Sequence, residues 1–204
     1  MKKYLDRILI FIVTLILVAC IATSSFAWSL VGTLGAPPAG GGCAGTVVDS
    51  QTAARTGGSL LFRFTNSDWW STQFQASESY TACKVGIWLS KPAGTTPPMN
   101  MTAYIYDDNA GMPGSLVGTA CETLAASTVP ETTAAEIVFT GCSANLTAGN
   151  YYHVVIFGSA VDSTNYVGWD YTTAAGALIW SDDNGTGTWN SGGANRQGMF
   201  RVYK

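Results

Sequence analysis

Tyr151-Tyr152-His153-Val154-Val155-Ile156-Phe157 is the stretch whose reading decides the fold. With the two-residue period of a strand, Tyr151, His153, Val155 and Phe157 share one face, and Tyr152, Val154 and Ile156 share the other. Both faces are then apolar, which is the pattern of a strand covered on both sides. Working outward, residues 83–89 alternate as Cys83, Val85, Ile87 and Leu89 against Lys84, Gly86 and Trp88. Residues 198–203 set Phe200 and Val202 against Met199, Arg201 and Tyr203. Short β-branched and aromatic runs predict further strands over 46–48, 59–65, 70–76, 101–106, 116–121, 136–140, 166–171 and 177–180. Between them lie turn-forming residues: Asp107-Asp108-Asn109-Ala110-Gly111, Pro113-Gly114, Ala148-Gly149-Asn150 and Asp182-Asp183-Asn184-Gly185. No helical period is sustained after the leader and no internal repeat stands out. The expectation is an all-β, antiparallel β-sandwich over residues 46–204.

The N-terminus reads as an export signal. Lys2, Lys3 and Arg7 precede the apolar run 8–19, whose one polar member is Thr14. That run is shorter than the roughly 20 residues of a membrane span. Ser25-Phe26-Ala27 offers small residues for cleavage before Trp28, making residues 1–27 a signal peptide with a signal helix. Leu17-Val18-Ala19-Cys20 resembles a bacterial lipobox, which would lipidate Cys20 and leave it as the anchor. An uncleaved anchor helix is the third reading. Residues 28–45, with Pro37-Pro38 and Gly40-Gly41-Gly42, read as a flexible lead-in. The expected location is secreted or on the cell surface, with no membrane contact by the domain itself.

Cysteine count and charge fit export. Setting Cys20 aside leaves Cys43, Cys83, Cys121 and Cys142, an even set open to three pairings. Cys121 with Cys142 is favoured, because they lie on consecutive predicted strands, leaving Cys43 for Cys83. No pair has the C-x-x-C spacing of a zinc or redox site. Loss of residues 1–27 removes Lys2, Lys3, Arg7 and Asp6, turning ten basic and thirteen acidic residues into seven and twelve. A net negative chain lacks the basic patches that nucleic acid or anionic lipid demands.

One stretch has a familiar order: Tyr106-Asp107-Asp108-Asn109-Ala110-Gly111-Met112-Pro113-Gly114-Ser115-Leu116-Val117-Gly118-Thr119. It is followed by Asn145-Leu146-Thr147-Ala148-Gly149-Asn150 ahead of the strand at 151, a strand centred on Trp169, the segment from Ser181 to Trp189, and the close Met199-Phe200-Arg201-Val202-Tyr203. This order resembles the bacterial surface domains grouped as choice-of-anchor proteins, R-type, over residues 59–204. The resemblance implies a jelly-roll-like sandwich related in shape to carbohydrate-binding modules, and no shared activity.

Of the seven Trp residues, six lie in the domain. Trp169, Asp170, Tyr171, Trp180 and Trp189 with Asn184 and Asn190 form the mixture of flat apolar rings and hydrogen-bonding groups that a sugar requires. Packing in the core is the competing account of any one Trp. The adjacent Trp69 and Trp70 must point to opposite faces of a strand, which leaves one for a ligand or a partner protein. Asp107, Asp108 and Asn109, and likewise Asp182, Asp183 and Asn184, present oxygen groups that a Ca²⁺ ion would accept, but without EF-hand spacing, and solvated turns explain them as well. No other metal or cofactor is implied. His153 is the one histidine, so a Ser-His-Asp relay would have to draw on it from inside an apolar strand, where packing is the simpler role. No carboxylate pair is singled out for glycoside hydrolysis. The sequence therefore favours a non-catalytic module binding a polysaccharide, with a structural or adhesive surface protein acting through protein contacts as the alternative and a hydrolase third.

Overall fold

A computed structural model of the chain describes residues 43–52, 61–63, 68–97, 99–158, 165–172, 177–181, 189–194 and 197–204. Residues 61–63, 68, 177–181 and 191–194 are described by their backbone alone. The leader, Cys20, Trp28 and the segment 182–188 lie outside the described residues. In chain order the strands are β1 (Val47–Gln51), β2 (Leu61–Arg63), β3 (Asp68–Gln75), β4 (Tyr80–Ser90), β5 (Asn100–Asn109), β6 (Met112–Leu116), β7 (Thr123–Ala125), β8 (Ala135–Leu146), β9 (Tyr151–Gly158), β10 (Gly168–Thr172), β11 (Ala177–Ser181), β12 (Asn190–Ala194), β13 (Gln197–Gly198) and β14 (Phe200–Tyr203). Every ladder between them is antiparallel.

Two sheets pack face to face, so the chain is an antiparallel β-sandwich, as the alternation predicts. In the first sheet β4 lies between β8 and β14, β1 pairs with β14, and β10 continues along β4 to meet β2 and β13. The second sheet runs β12, β11, β3, β9, β5, with β6 and β7 sharing the outer edge of β5. The interior is built from Val85, Ile87 and Leu89 of β4, Phe139 of β8, Phe200 and Val202 of β14, and Val154 and Ile156 of β9, all at most 1% exposed. β9 sits between β3 and β5, and residues 152–156 are buried on both its faces, which accounts for its doubly apolar sequence.

The alternation predicted over 83–89 breaks at its first residue. Tyr80 and Ala82 face the core, as do Val85, Ile87 and Leu89, so the phase changes at Cys83. The partner strand changes phase with it: Ala82 lies opposite Ala144 and Lys84 opposite Thr140, leaving Gly141, Cys142 and Ser143 across from Cys83 alone. Such a bulge re-aims side chains without unpairing the flanking ladder. Both disulfides are rooted there. Cys83 bonds Cys43 and Cys142 bonds Cys121, with Cα separations of 5.7 and 4.1 Å. This is the favoured pairing, although Cys121 sits in a connecting segment and not in a strand. Each bridge contributes about 2–4 kcal/mol, chiefly by restricting the unfolded chain.

That connecting segment seals one side of the sandwich. The predicted strand over 116–121 is replaced by a stitch in which successive N–H groups reach alternately to the two sheets. Val117 and Cys121 donate to Ile105 and Ala103 of β5, while Thr119 and Glu122 donate to Ser143 and Thr140 of β8. The backbone of residues 117–122 thus satisfies edge groups of both layers. Gly118 makes the close approach feasible: its φ is +72°, and a Cβ there would lie 1.7 Å from the Ser143 carbonyl oxygen. Gly149 has a similar φ of +81° in open space. In urea unfolding, Gly118→Ala should therefore cost about 3 kcal/mol and Gly149→Ala about 1 kcal/mol; equal losses would contradict the stitched seam.

Candidate functional site

The strands of the second sheet divide their side chains cleanly. Trp70, Phe74, Tyr152, Val154, Ile156, Met101, Ala103 and Ile105 pack in the sandwich core. The opposite face carries Trp69, Ser71 and Gln73 from β3, His153, Val155 and Phe157 from β9, and Tyr104, Tyr106 and Asp108 from β5. Trp69 and Trp70 therefore separate onto two faces, as adjacent strand residues must. On the outer face the Trp69 ring lies 4.8 Å from Phe157, 5.2 Å from Tyr104 and 6.5 Å from Tyr106, centre to centre. Tyr104 and Tyr106 meet edge to face at 6.2 Å. All four residues are half-buried.

Next to these rings runs a chain of hydrogen bonds across three strands. The Ser71 Oγ lies 2.9 Å from His153 Nδ1, and His153 Nε2 lies 2.8 Å from Asp108 Oδ1. Gln73 Nε2 donates to the same Asp108 oxygen at 2.6 Å, and the Gly111 N–H donates to both carboxylate oxygens at 3.1 Å. An ionised carboxylate only accepts, so Nε2 carries the imidazole proton and Nδ1 accepts from the Ser71 hydroxyl. Local backbone serves this arrangement. Ala110 and Gly111 have φ of 55° and 86°, the hairpin geometry that turns the Gly111 N–H back onto Asp108.

Burial holds His153 below the usual histidine range, against the pull of the Asp108 carboxylate and of Asp107. Burial also pushes Asp108 up, but hydrogen bonds from His153, Gly111 and Gln73 together outweigh it and keep the carboxyl below its ordinary value. Neutral imidazole and ionised carboxylate are thus the paired states near neutrality.

Serine, imidazole and carboxylate in series have the connectivity of a hydrolytic relay. The nucleophile of such a relay must reach substrate, and Ser71 is 0% exposed, as is His153. The series acts here as a strut that aims Asp108, whose side chain keeps 20% exposure.

Asp108 opens onto a cleft of about 520 Å³ walled by Trp69, Tyr106 and Trp189, with Asp107, Asp108 and Asn109 along one side and Ser115 nearby. The Asp107 carboxylate accepts from the Ser115 N–H. No basic side chain occurs among its described lining residues. The arrangement offers flat apolar faces beside preset acceptors, which is the surface chemistry of hydroxyl-rich ligands with apolar C–H faces.

The sequence-derived candidates distribute unevenly over the structure. Trp169, Asp170 and Tyr171 lie on β10 and are 0, 3 and 5% exposed, so they are core residues and present no face to a ligand. The Trp169 indole N–H donates to the Met199 carbonyl at 2.9 Å, and Gly198 packs on its ring so closely that a Cβ would lie 2.5 Å away. Trp180 pairs with Trp70 in the β11–β3 ladder. Asn184, Asp182 and Asp183 lie outside the described residues. Trp189 does line the cleft. Asp107 and Asp108 are engaged as acceptors for the turn and for His153, and among the described residues no group of three or more His, Cys, Asp or Glu is placed to hold a metal ion. Sequence reasoning missed Ser71, Gln73 and Tyr106. Their signal was the alternation of polar Ser71 and Gln73 with Trp70, Thr72 and Phe74, which marks an outer face carrying polar groups on an otherwise covered strand.

No protein-family model matches the chain, and no curated protein matches it closely.

The chain has one histidine, which isolates its titration. Because the folded pKa of His153 lies below the unfolded value near 6.5, the unfolded chain binds more protons as pH drops through that value. Stability should be full above about pH 7 and fall toward pH 5; Asp108, also lowered, adds a second loss below about pH 4. Melting temperatures across this range should decline in the parent and stay flat between pH 7 and 5 in His153→Gln.

Proposed function

We propose that this chain is a non-catalytic, extracellular or cell-surface β-sandwich module that binds carbohydrate through half-exposed aromatic rings. The observation that carries the reading is the cleft in which Trp69, Tyr106 and Trp189 stand beside the Asp107, Asp108 and Asn109 side chains. Aromatic rings give large contact area at low entropy cost, and carboxylates held by hydrogen bonds give orientation. The Asp108 acceptor is held by four hydrogen bonds from His153, Gln73 and Gly111 before any ligand arrives, so little ordering cost attends binding.

Export is supported by the leader sequence and by two disulfides, which persist in oxidising compartments. The order of motifs, which resembles that of R-type choice-of-anchor domains, agrees with a surface role, with lipidation at Cys20 or cleavage after Ala27 as the two routes. The cleft differs from the cluster the sequence favours for sugar: of that cluster only Trp189 lines it, beside Trp69, which the sequence offers as one of two possible ligand-facing rings, and Asp107, Asp108 and Asn109, which it offers as oxygen groups for Ca²⁺.

A polysaccharide panel with the purified exported protein tests the reading. At least one polysaccharide should bind, and Trp189→Ala or Tyr106→Ala should weaken that binding by about tenfold with the melting temperature retained. Binding that survives both substitutions, or no binding across the panel, contradicts it.

A further inference from the structure

The cleft does not end at Asp108. On the far side of Asp107 and Asp108 lies a second hollow of about 320 Å³, bordered by Gly149, Asn150, Tyr151 and Tyr152. The two hollows share both aspartates, so the carboxylates form the ridge of one groove and not the wall of an isolated pocket. Tyr151 is 50% exposed, one of the large apolar side chains most open to solvent among the described residues. It stands at the start of β9, two residues before His153 on the same face of the strand.

The backbone beneath this second hollow is fixed. Gln75 Nε2 donates to the Gly149 carbonyl at 2.7 Å, the Tyr152 hydroxyl accepts from the Thr147 N–H at 2.9 Å, and the Ala76 N–H donates to the Asn150 carbonyl at 2.9 Å. The Asn150 side chain is exposed. An open ring, a free amide and shared carboxylates thus repeat, on a smaller scale, the composition of the first cleft. Neither hollow has a basic side chain among its described lining residues, and both carry the same two carboxylates. Like-charge repulsion therefore disfavours a uronate or other acidic sugar.

Resting on the glycan-binding reading, the geometry points to a second subsite at Tyr151 and Asn150, so that the ligand is an uncharged glycan chain lying across the Asp107–Asp108 ridge, with one part against Trp69, Tyr106 and Trp189 and the next against Tyr151. A single sugar fills one hollow; a chain fills both and gains the second contact at no further cost in rigid-body freedom.

Calorimetric titration with cello-, chito-, xylo- and malto-oligosaccharides from dimer to hexamer, and with oligogalacturonate hexamer, tests this. For the series that binds, affinity should rise with length. Tyr151→Ala should lower the hexamer affinity about fivefold and leave the dimer within about twofold, while Tyr151→Phe keeps the parent behaviour. Trp189→Ala should weaken dimer and hexamer alike. Length-independent affinity, an unchanged hexamer affinity in Tyr151→Ala, or oligogalacturonate binding as tight as the neutral hexamer overturns the second subsite while leaving the glycan reading intact. Failure of every series to bind, or indifference to Trp189→Ala, overturns the glycan reading itself.

Discussion

The hydrogen bond between the Asp108 carboxylate and the His153 imidazole is the constraint on which the outer face of the second sheet is organised. It joins β5 to β9, and through Ser71 Oγ and Gln73 Nε2 it extends to β3, so three adjacent strands are tied by side chains as well as by their ladders. A buried imidazole without partners would be costly, because both ring nitrogens need satisfaction in a medium that water does not reach. Both are satisfied here, one as acceptor and one as donor. The Asp108 carboxylate that ends this series lines the cleft together with Trp69 and Tyr106.

A second constraint works on the other sheet. The bulge of β4 and β8 around Cys83 and Cys142 shifts both strands by one residue in phase, and each disulfide ties the bulge to a segment outside the β4–β8 pair. The 117–122 stitch then bonds β8 on one side and β5 on the other. β5 carries Tyr104, Tyr106 and Asp108, so the seam that closes the sandwich also fixes the strand that supplies much of the groove. A rigid scaffold with its variable chemistry at strand ends and turns is a common setting for recognition.

The fold was legible because its signals are local and periodic. β9, β14 and most of β4 follow from alternation, and the favoured disulfide pairing is the one found, although the strand at Cys121 on which it was argued is not. The bulge at Cys83 was not legible, since one strand read alone gives no sign that its neighbour holds three residues against one. The 117–122 stitch was misread as a strand because its residues have strand composition while its hydrogen bonds are divided between sheets. Pro113 and Gly114 were read as a turn and lie in β6, because the tight turn two residues earlier, at Ala110 and Gly111, already reverses the chain. Which of the aromatic residues line a cleft was not legible. Trp169 and Trp189 look alike in sequence, and only the third dimension puts one in the core beneath Gly198 and the other beside Asp108. Ser71, Gln73 and Asp108 come from positions 35 to 82 residues distant from their partners, a separation that no local pattern reports.

The central claim is that His153 is neutral, protonated on Nε2 and held between Ser71 and Asp108. Nitrogen-15 NMR of the histidine ring, recorded from pH 8 down to pH 5, reads the protonation and the tautomer directly. A single Nε2–H tautomer, with an Nδ1 shift displaced by hydrogen bonding and a midpoint below the ordinary histidine value, is the predicted result. Exchange between tautomers at neutral pH, or a midpoint at or above the value of a free histidine, would contradict the account.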